Sequence, residues 1–153
     1  MNENEERRVE AVLKDDIGFM ATTTAKMLKA FISQELKSYH ITSEQWTVLK
    51  QLSFVGDLNQ KELAIRTDKD QATLTKILDL LEQRNLLARK ANPHDRRSYL
   101  VEITEQGKQV VDEVLPFIEN LYQSILAGIS EEQLHDFTCV LEQMKNNIEQ
   151  MKS

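Results

Sequence analysis

Two groups of side chains in this chain have types and spacing suited to chemistry, and both lie in its middle third. The first is Lys69, Asp70, Gln71, Thr73, Thr75 and Lys76. These are short, amide-bearing or cationic, and at the start of a helix they suit base edges and phosphate oxygens in a DNA major groove. The second is Asp95-Arg96-Arg97, inside the turn-rich run Ala91-Asn92-Pro93-His94-Asp95-Arg96-Arg97. An arginine on a thin protrusion can enter a narrow minor groove, where the potential is most negative. A neighbouring aspartate can pair with it and fix its rotamer. The same run is also ordinary turn chemistry for a solvated loop, and its place directly after the first group is what directs it to a nucleic acid.

Enzymatic chemistry is not recognisable. His40, His94 and His135 fall on three different elements, with no Ser/His/Asp set, paired-carboxylate pocket or glycine-rich phosphate loop beside them. His135 and Cys139 are four residues apart and can share a helix face, but no third or fourth metal ligand is evident near them. The single Cys excludes an intramolecular disulfide. The expectation is no cofactor and no metal.

These groups need elements to hold them. The chain has 153 residues with only 2 Pro and 4 Gly, so most of it can be helical. A long first helix spans about Glu6–Lys37. Thr42 with Gln45 reads as a capping box for a second helix that carries Trp46, Leu49 and Leu52 on one face. Asn59 with Glu62 repeats the box for a short third helix, about Gln60–Arg66, with Leu58 and Leu63 as a hydrophobic staple. Asp68 is placed as the cap of a fourth helix, about Lys69–Arg84, whose buried stripe is Leu74, Ile77, Leu78 and Leu81. Ala88–Lys90 and Ser98–Ile103 form a two-stranded hairpin with a charged tip, Tyr99, Val101 and Ile103 alternating with Leu100 and Glu102. Thr104 caps a fifth helix that ends near Gly128. Ser130 with Gln133 opens a sixth, in which Leu134, Phe137, Leu141, Met144, Ile148 and Met151 step by three and four. That narrow seam belongs to helix–helix pairing. It packs either on the chain's own first helix or on a second copy, and long terminal helices around a small middle favour a dimer.

Charge is unevenly placed. The chain carries 19 Lys+Arg and 25 Asp+Glu, a net −6 with a pI near 5.1. Residues 61–108 are net +2, whereas residues 109–153 are net −6 and residues 1–60 net −2. A net acidic chain ordinarily argues against nucleic acid, but here the acidity lies away from the two polar groups. No apolar stretch reaches the roughly 18 residues of a membrane span, and Met1–Glu10 has no apolar signal region. The expectation is a soluble, cytoplasmic protein with no membrane partner.

Helices followed by a hairpin in this order make a winged helix-turn-helix. Ile41–Leu49, Leu58–Ala64 and Asp70–Glu82 resemble the multiple antibiotic resistance regulator (MarR) family. The strongest likeness is Pro93-His94-Asp95-Arg96-Arg97-Ser98 followed by Ile103-Thr104-Glu105-Gln106-Gly107, which is similar to that family's wing signature and its entry into the next helix. The resemblance implies a mainly α fold: a winged helix-turn-helix with a two-stranded wing, flanked by N- and C-terminal dimerisation helices. It divides the chain into residues 1–40, 41–108 and 109–153, the middle part binding DNA. It implies a homodimeric transcription factor, usually a repressor, on double-stranded DNA with a pseudo-palindromic operator.

Residue by residue, the resemblance makes Arg97 the minor-groove arginine with Asp95 as its salt-bridge partner, and sends Arg96 to phosphate. Asp70, Gln71, Thr73, Thr75 and Lys76 take groove-facing positions, and Gln60 and Lys61 at the third helix's start contact phosphate. It also implies a small phenolic or lipophilic effector, for which Phe19, Met20, Met27, Phe31, His40, Trp46 and Phe54 are the candidate lining. A Met and aromatic stripe at helical spacing is more often ordinary core. Some relatives sense oxidants through an N-terminal Cys, which this chain lacks; Cys139, between Phe137 and Leu141, reads as a small packed residue. A protein-interaction module that keeps the winged shape without DNA is the competing reading, and the acidic C-terminal helix is what favours it.

Overall fold

The computed structural model describes residues 2–152. The elements run α1 (Glu3–Glu35), a 3-10 turn (Leu36–Tyr39), α2 (Ser43–Val55), β1 (Leu58–Asn59), α3 (Gln60–Thr67), α4 (Gln71–Gln83), β2 (Leu87–Ala91), β3 (Tyr99–Ile103), α5 (Glu105–Ile125) and α6 (Glu131–Met151). The mainly helical winged arrangement is the one expected from the sequence.

Local capping sets most of the helix starts. At α2 the Gln45 N–H donates to Thr42 Oγ1 at 3.1 Å, and Gln45 Oε1 accepts the Thr42 N–H at 3.0 Å. Asn59 with Glu62 and Ser130 with Gln133 close the same reciprocal boxes. α1 starts earlier than expected, because Asn2 and Glu5 form a further box three residues upstream. Leu58 and Leu63, the expected staple, are both buried.

The cap of α4 is a correction. Asp68 is not its N-cap: it sits in the left-handed region (φ 50) as the C-cap of α3. Asp70 caps α4 instead, its Oδ1 accepting the Thr73 N–H at 2.8 Å. The chain must leave α3 through a left-handed residue, and Asp tolerates that conformation. That role takes Asp68 and passes capping to the next aspartate. Lys69 therefore lies in the turn, not on the helix.

The sheet has three strands in the order β1-β3-β2, all antiparallel. The hairpin pairs Leu87 with Ile103 through Ala91 with Tyr99. The added strand pairs Leu58 with Val101 and Asn59 with Leu100, tying the start of α3 to the wing.

The chain falls into two compact units, divided between Val114 and Leu115 inside α5. In the first, Leu36, Val48, Leu49, Leu52, Leu63, Leu74, Leu78, Leu81, Leu86, Leu87 and Val101 form a closed core. All four members of the expected α4 stripe lie in it. In the second, α6 buries none of its residues, although its seam is apolar. Cys139 is exposed rather than packed. At 100° per residue it points about 200° away from Leu141, off the apolar seam. No helix among the described residues is long and apolar enough to cross a membrane.

Candidate nucleic-acid interface

The exposed surface of unit one gathers the two polar groups. α4 turns Leu74, Ile77, Leu78 and Leu81 inward, which leaves Gln71, Ala72, Thr73 and Lys76 exposed and Thr75 half-buried. Asp70 is bound at both oxygens, by the Thr73 N–H at 2.8 Å and the Thr73 hydroxyl at 2.6 Å. Those bonds, the hydroxyl's first, hold its carboxyl below the usual aspartate value. Gln60 Nε2 donates to Thr75 Oγ1 at 2.6 Å, and that hydroxyl donates to the Gln71 carbonyl at 2.8 Å. Gln60 thus locks α3 against α4, a structural task beyond the phosphate contact expected of it. Lys69 lies half-buried in the turn. Its charge helps, behind that of Lys29, to keep the Glu44 carboxyl low.

The wing tip keeps Asp95, Arg96 and Arg97 exposed. Asp95 does not pair with the Arg97 guanidinium. Its Oδ1 accepts the Arg97 backbone N–H at 2.9 Å, while its carbonyl accepts the Ser98 N–H at 3.2 Å. A backbone N–H two residues on is closer to an aspartate than the end of a long, solvated arginine, so the Asx turn wins. The expected ion pair is absent among the described residues, and the turn itself holds the tip.

The cations divide into two kinds. Arg89 on β2 reaches α4, with Nη2 2.7 Å from Asp79 Oδ1 and Nη1 2.5 Å from Glu82 Oε2. Lys90 lies 2.5 Å from Asp57 and 2.8 Å from Glu102. These two are neutralised and bind the wing to the body. Lys61, Lys76, Arg96 and Arg97 have no ion pair among the described residues. A cleft of about 310 Å³ opens between the start of α3 and the wing, and Gln60, Lys61, Arg89, Asp95, Arg97 and Tyr99 help line it. Sequence reasoning missed Arg89. The signal for it was a strand cation following two carboxylates, Asp79 and Glu82, that share one helix face.

The candidate effector lining is not gathered into a core or a closed pocket. Phe19, Met20, Met27, Phe31 and Phe54 are exposed, Met27 at 73%. Trp46 is buried in the core. His40 is exposed and takes the left-handed conformation (φ 55), with its carbonyl accepting from Arg84 Nη1 at 2.6 Å. The reading of the α1 stripe as this chain's own core is therefore corrected: helical spacing shows that a face is apolar, not what covers it. His135 Nε2 and Cys139 Sγ stand 3.7 Å apart on α6, and no group of three or more potential metal ligands occurs among the described residues.

The sequence model of the MarR family matches residues 41–99, from the start of α2 into β3. A Listeria innocua protein of unknown function is similar at 31% identity over 92% of this chain and 98% of its own, with a TM-score of 0.70. BpsR of Bordetella bronchiseptica, solved to explain regulation of its DNA binding by 6-hydroxynicotinic acid, is 28% identical over 85% of this chain and 98% of its own, with a TM-score of 0.76. The chain belongs to the MarR family. It is thereby a DNA-binding transcriptional regulator and not an enzyme. A variant of Escherichia coli MarR complexed with operator DNA shares the fold at a TM-score of 0.78, with 21% identity over 84% of this chain and 93% of its own.

Proposed function

We propose that this MarR-family regulator is a cytoplasmic homodimeric repressor that binds a pseudo-palindromic operator. Residues 41–108 bind DNA; residues 1–40 and 109–153 dimerise. The start of α4, with Lys69, Asp70, Gln71, Thr73, Thr75 and Lys76, faces the major groove. Arg97 enters the flanking minor groove from the Asx turn built by Asp95, and Arg96, Gln60 and Lys61 face phosphates.

The observation that carries this reading is the division of the cations. Arg89 and Lys90 are satisfied by carboxylates, while Lys61, Lys76, Arg96 and Arg97 stand exposed without one. Exposed cations of one sign around a helix start and a wing tip are what a duplex backbone neutralises, with release of counterions. The dimer is supported by α6, which presents Phe137, Leu141, Met144 and Ile148 at helical spacing and buries none of them. Such a stripe is stable in water when a second copy covers it.

The exposed Phe19, Met20, Met27 and Phe31 on α1, together with Phe54, are the effector lining in this reading. His40 and Trp46 lie further from it in character, one a strained turn residue and the other core. Regulation of DNA binding in BpsR by 6-hydroxynicotinic acid, a small hydroxylated aromatic, is the precedent for a small lipophilic or phenolic effector here.

The test is selection of bound duplexes from a random pool, followed by sedimentation of the complex. Enriched half-sites about one helical turn apart, bound by two chains, are expected. Failure to enrich any sequence, with one chain per particle, refutes the reading.

A further inference from the structure

The polar side chains around the start of α4 are divided by their own hydrogen bonds. Asp70 has both carboxylate oxygens engaged by Thr73. The Thr73 hydroxyl has given its single hydrogen to Asp70, and the Thr75 hydroxyl has given its own to the Gln71 carbonyl. A hydroxyl carries one hydrogen, so neither threonine retains a donor for a base. Thr75 also receives the Gln60 amide at 2.6 Å. These four residues hold the helix start in place. By contrast, the Gln71 side-chain amide and the Lys76 ammonium are exposed and make no hydrogen bond or ion pair among the described residues.

We infer that Gln71 and Lys76 are the base-reading side chains of this regulator, and that Asp70, Thr73, Thr75 and Gln60 position the helix that carries them. The inference rests on the DNA-binding reading above and narrows its major-groove set from six side chains to two: Asp70, Thr73 and Thr75 are engaged, and Lys69 lies half-buried in the turn before the helix with its charge acting on Glu44. The chemistry of the pair is distinct. A glutamine amide donates and accepts at once, matching adenine N6 and N7, whereas a lysine only donates, matching guanine O6 and N7. Five residues separate them, roughly 7.5 Å along a helix axis at 1.5 Å per residue. That is about two base-pair steps at 3.4 Å each. Each half-site is therefore specified at an A·T pair and a G·C pair about two positions apart, with the exposed Ala72 methyl between them offering apolar contact to a thymine methyl.

The experiment measures binding of every single-base variant of a pool-selected half-site by fluorescence anisotropy. It compares the full-length wild type with Gln71→Ala, Lys76→Ala and Lys61→Ala. Wild type should discriminate at each read pair by roughly 5- to 150-fold. Gln71→Ala should flatten the preference at the adenine position alone, and Lys76→Ala at the guanine position alone. Lys61→Ala should weaken all sequences alike and lower the salt slope by about one unit. Gln71→Ala and Lys76→Ala variants that keep the wild-type preference at every position, with unchanged circular dichroism, overturn the assignment. A wild-type chain that enriches no sequence overturns the DNA-binding reading beneath it.

Discussion

Replacing Gly107 by alanine should destabilise this protein, although the residue lies in the first turns of a helix where alanine is normally preferred. Gly107 is buried. A Cβ built there would stand 2.0 Å from the Leu86 carbonyl oxygen, 2.7 Å from Ile103 Cγ1 and 3.0 Å from the Leu86 carbonyl carbon. The closest of these is backbone and cannot swing aside. It is also tied: the Leu86 carbonyl accepts the Thr104 N–H at 3.1 Å. The Thr104 hydroxyl donates to the Asn85 carbonyl at 2.6 Å and accepts the Gly107 N–H at 3.0 Å. The α4–β2 turn and the start of α5 are stitched together at the point the methyl must occupy, and must part by roughly 1 Å. Alanine gains about 1 kcal/mol of helix propensity over glycine. Overpacking with a backbone shift costs about 1–3 kcal/mol and more where hydrogen bonds stretch with it. Because the clash falls on tied backbone, the cost lies at the upper end of that range, and the net loss is about 2 kcal/mol, or a Tm lower by about 4–8 °C for a chain of this size. Gly18→Ala is the control of opposite sign, because a Cβ there meets nothing within 4 Å. It should raise Tm by about 2–4 °C. Thermal unfolding followed by circular dichroism, at matched protomer concentration, reads both. A Gly107→Ala chain as stable as wild type refutes the close approach and with it this account of the glycine.

Three further outcomes follow from the geometry. Arg97→Ala should leave Tm unchanged, since its side chain has no bond to lose, and should weaken operator binding at least tenfold by anisotropy; an unaltered affinity in the folded variant removes the wing from the interface. Lys29 lies 2.7 Å from Glu44 and, chiefly through that hydrogen bond, holds its carboxyl below the ordinary 4.5. A depressed acid stabilises the fold above its unfolded pKa and loses that contribution as pH falls through the folded value. The denaturant midpoints of wild type and Lys29→Met should therefore differ slightly at pH 7 and converge near pH 2, and a difference that persists in acid contradicts the pairing. Leu141→Glu places a charge in the exposed α6 seam and should convert dimer to monomer by analytical ultracentrifugation; a variant still dimeric at micromolar concentration excludes α6 from the dimer contact.

What the sequence revealed depended on how local the cause was. The boxes at Thr42, Asn59 and Ser130 need only a residue and its neighbour three positions on, and they were legible. The α4 stripe was legible because four leucine or isoleucine positions share one helical face. Asp68 and Asp70 were confused because both suit a cap; the choice between them belongs to the exit of α3, not to α4. β1 has two residues and therefore no period to detect, and its pairing with β3 is made across more than forty residues. The Asp95–Arg97 spacing was legible as a turn, but charge complementarity suggested the wrong bond within it. The apolar faces of α1 and α6 were legible as faces. Their occupant was not, because periodicity records only what a helix presents.

The net charge of −6 illustrates the same limit in electrostatics. Residues 61–108 sum to +2, too small a figure to suggest a polyanion partner. The structure shows where the carboxylates of this stretch are used. Asp79 and Glu82 are engaged by Arg89, Glu102 by Lys90, Glu105 by Lys108, and Asp70 by the cap of α4. Both Arg89 pairs, and the pair of Lys90 with Asp57, bind the wing to the body, so part of the module's own basic charge holds its shape. Lys61, Lys76, Arg96 and Arg97 retain theirs. A phosphate approaching the helix start or the wing tip meets cations that no ion pair among the described residues neutralises, while Asp79, Glu82, Glu102 and Glu105 lie against theirs. Asp70 and Asp95 keep their charge and are held by hydrogen bonds within the chain, and charges beyond about 10 Å are screened at 0.1 M salt. The sign that a DNA backbone senses is thus set by which charges are paired, and residue counting averages that distinction away.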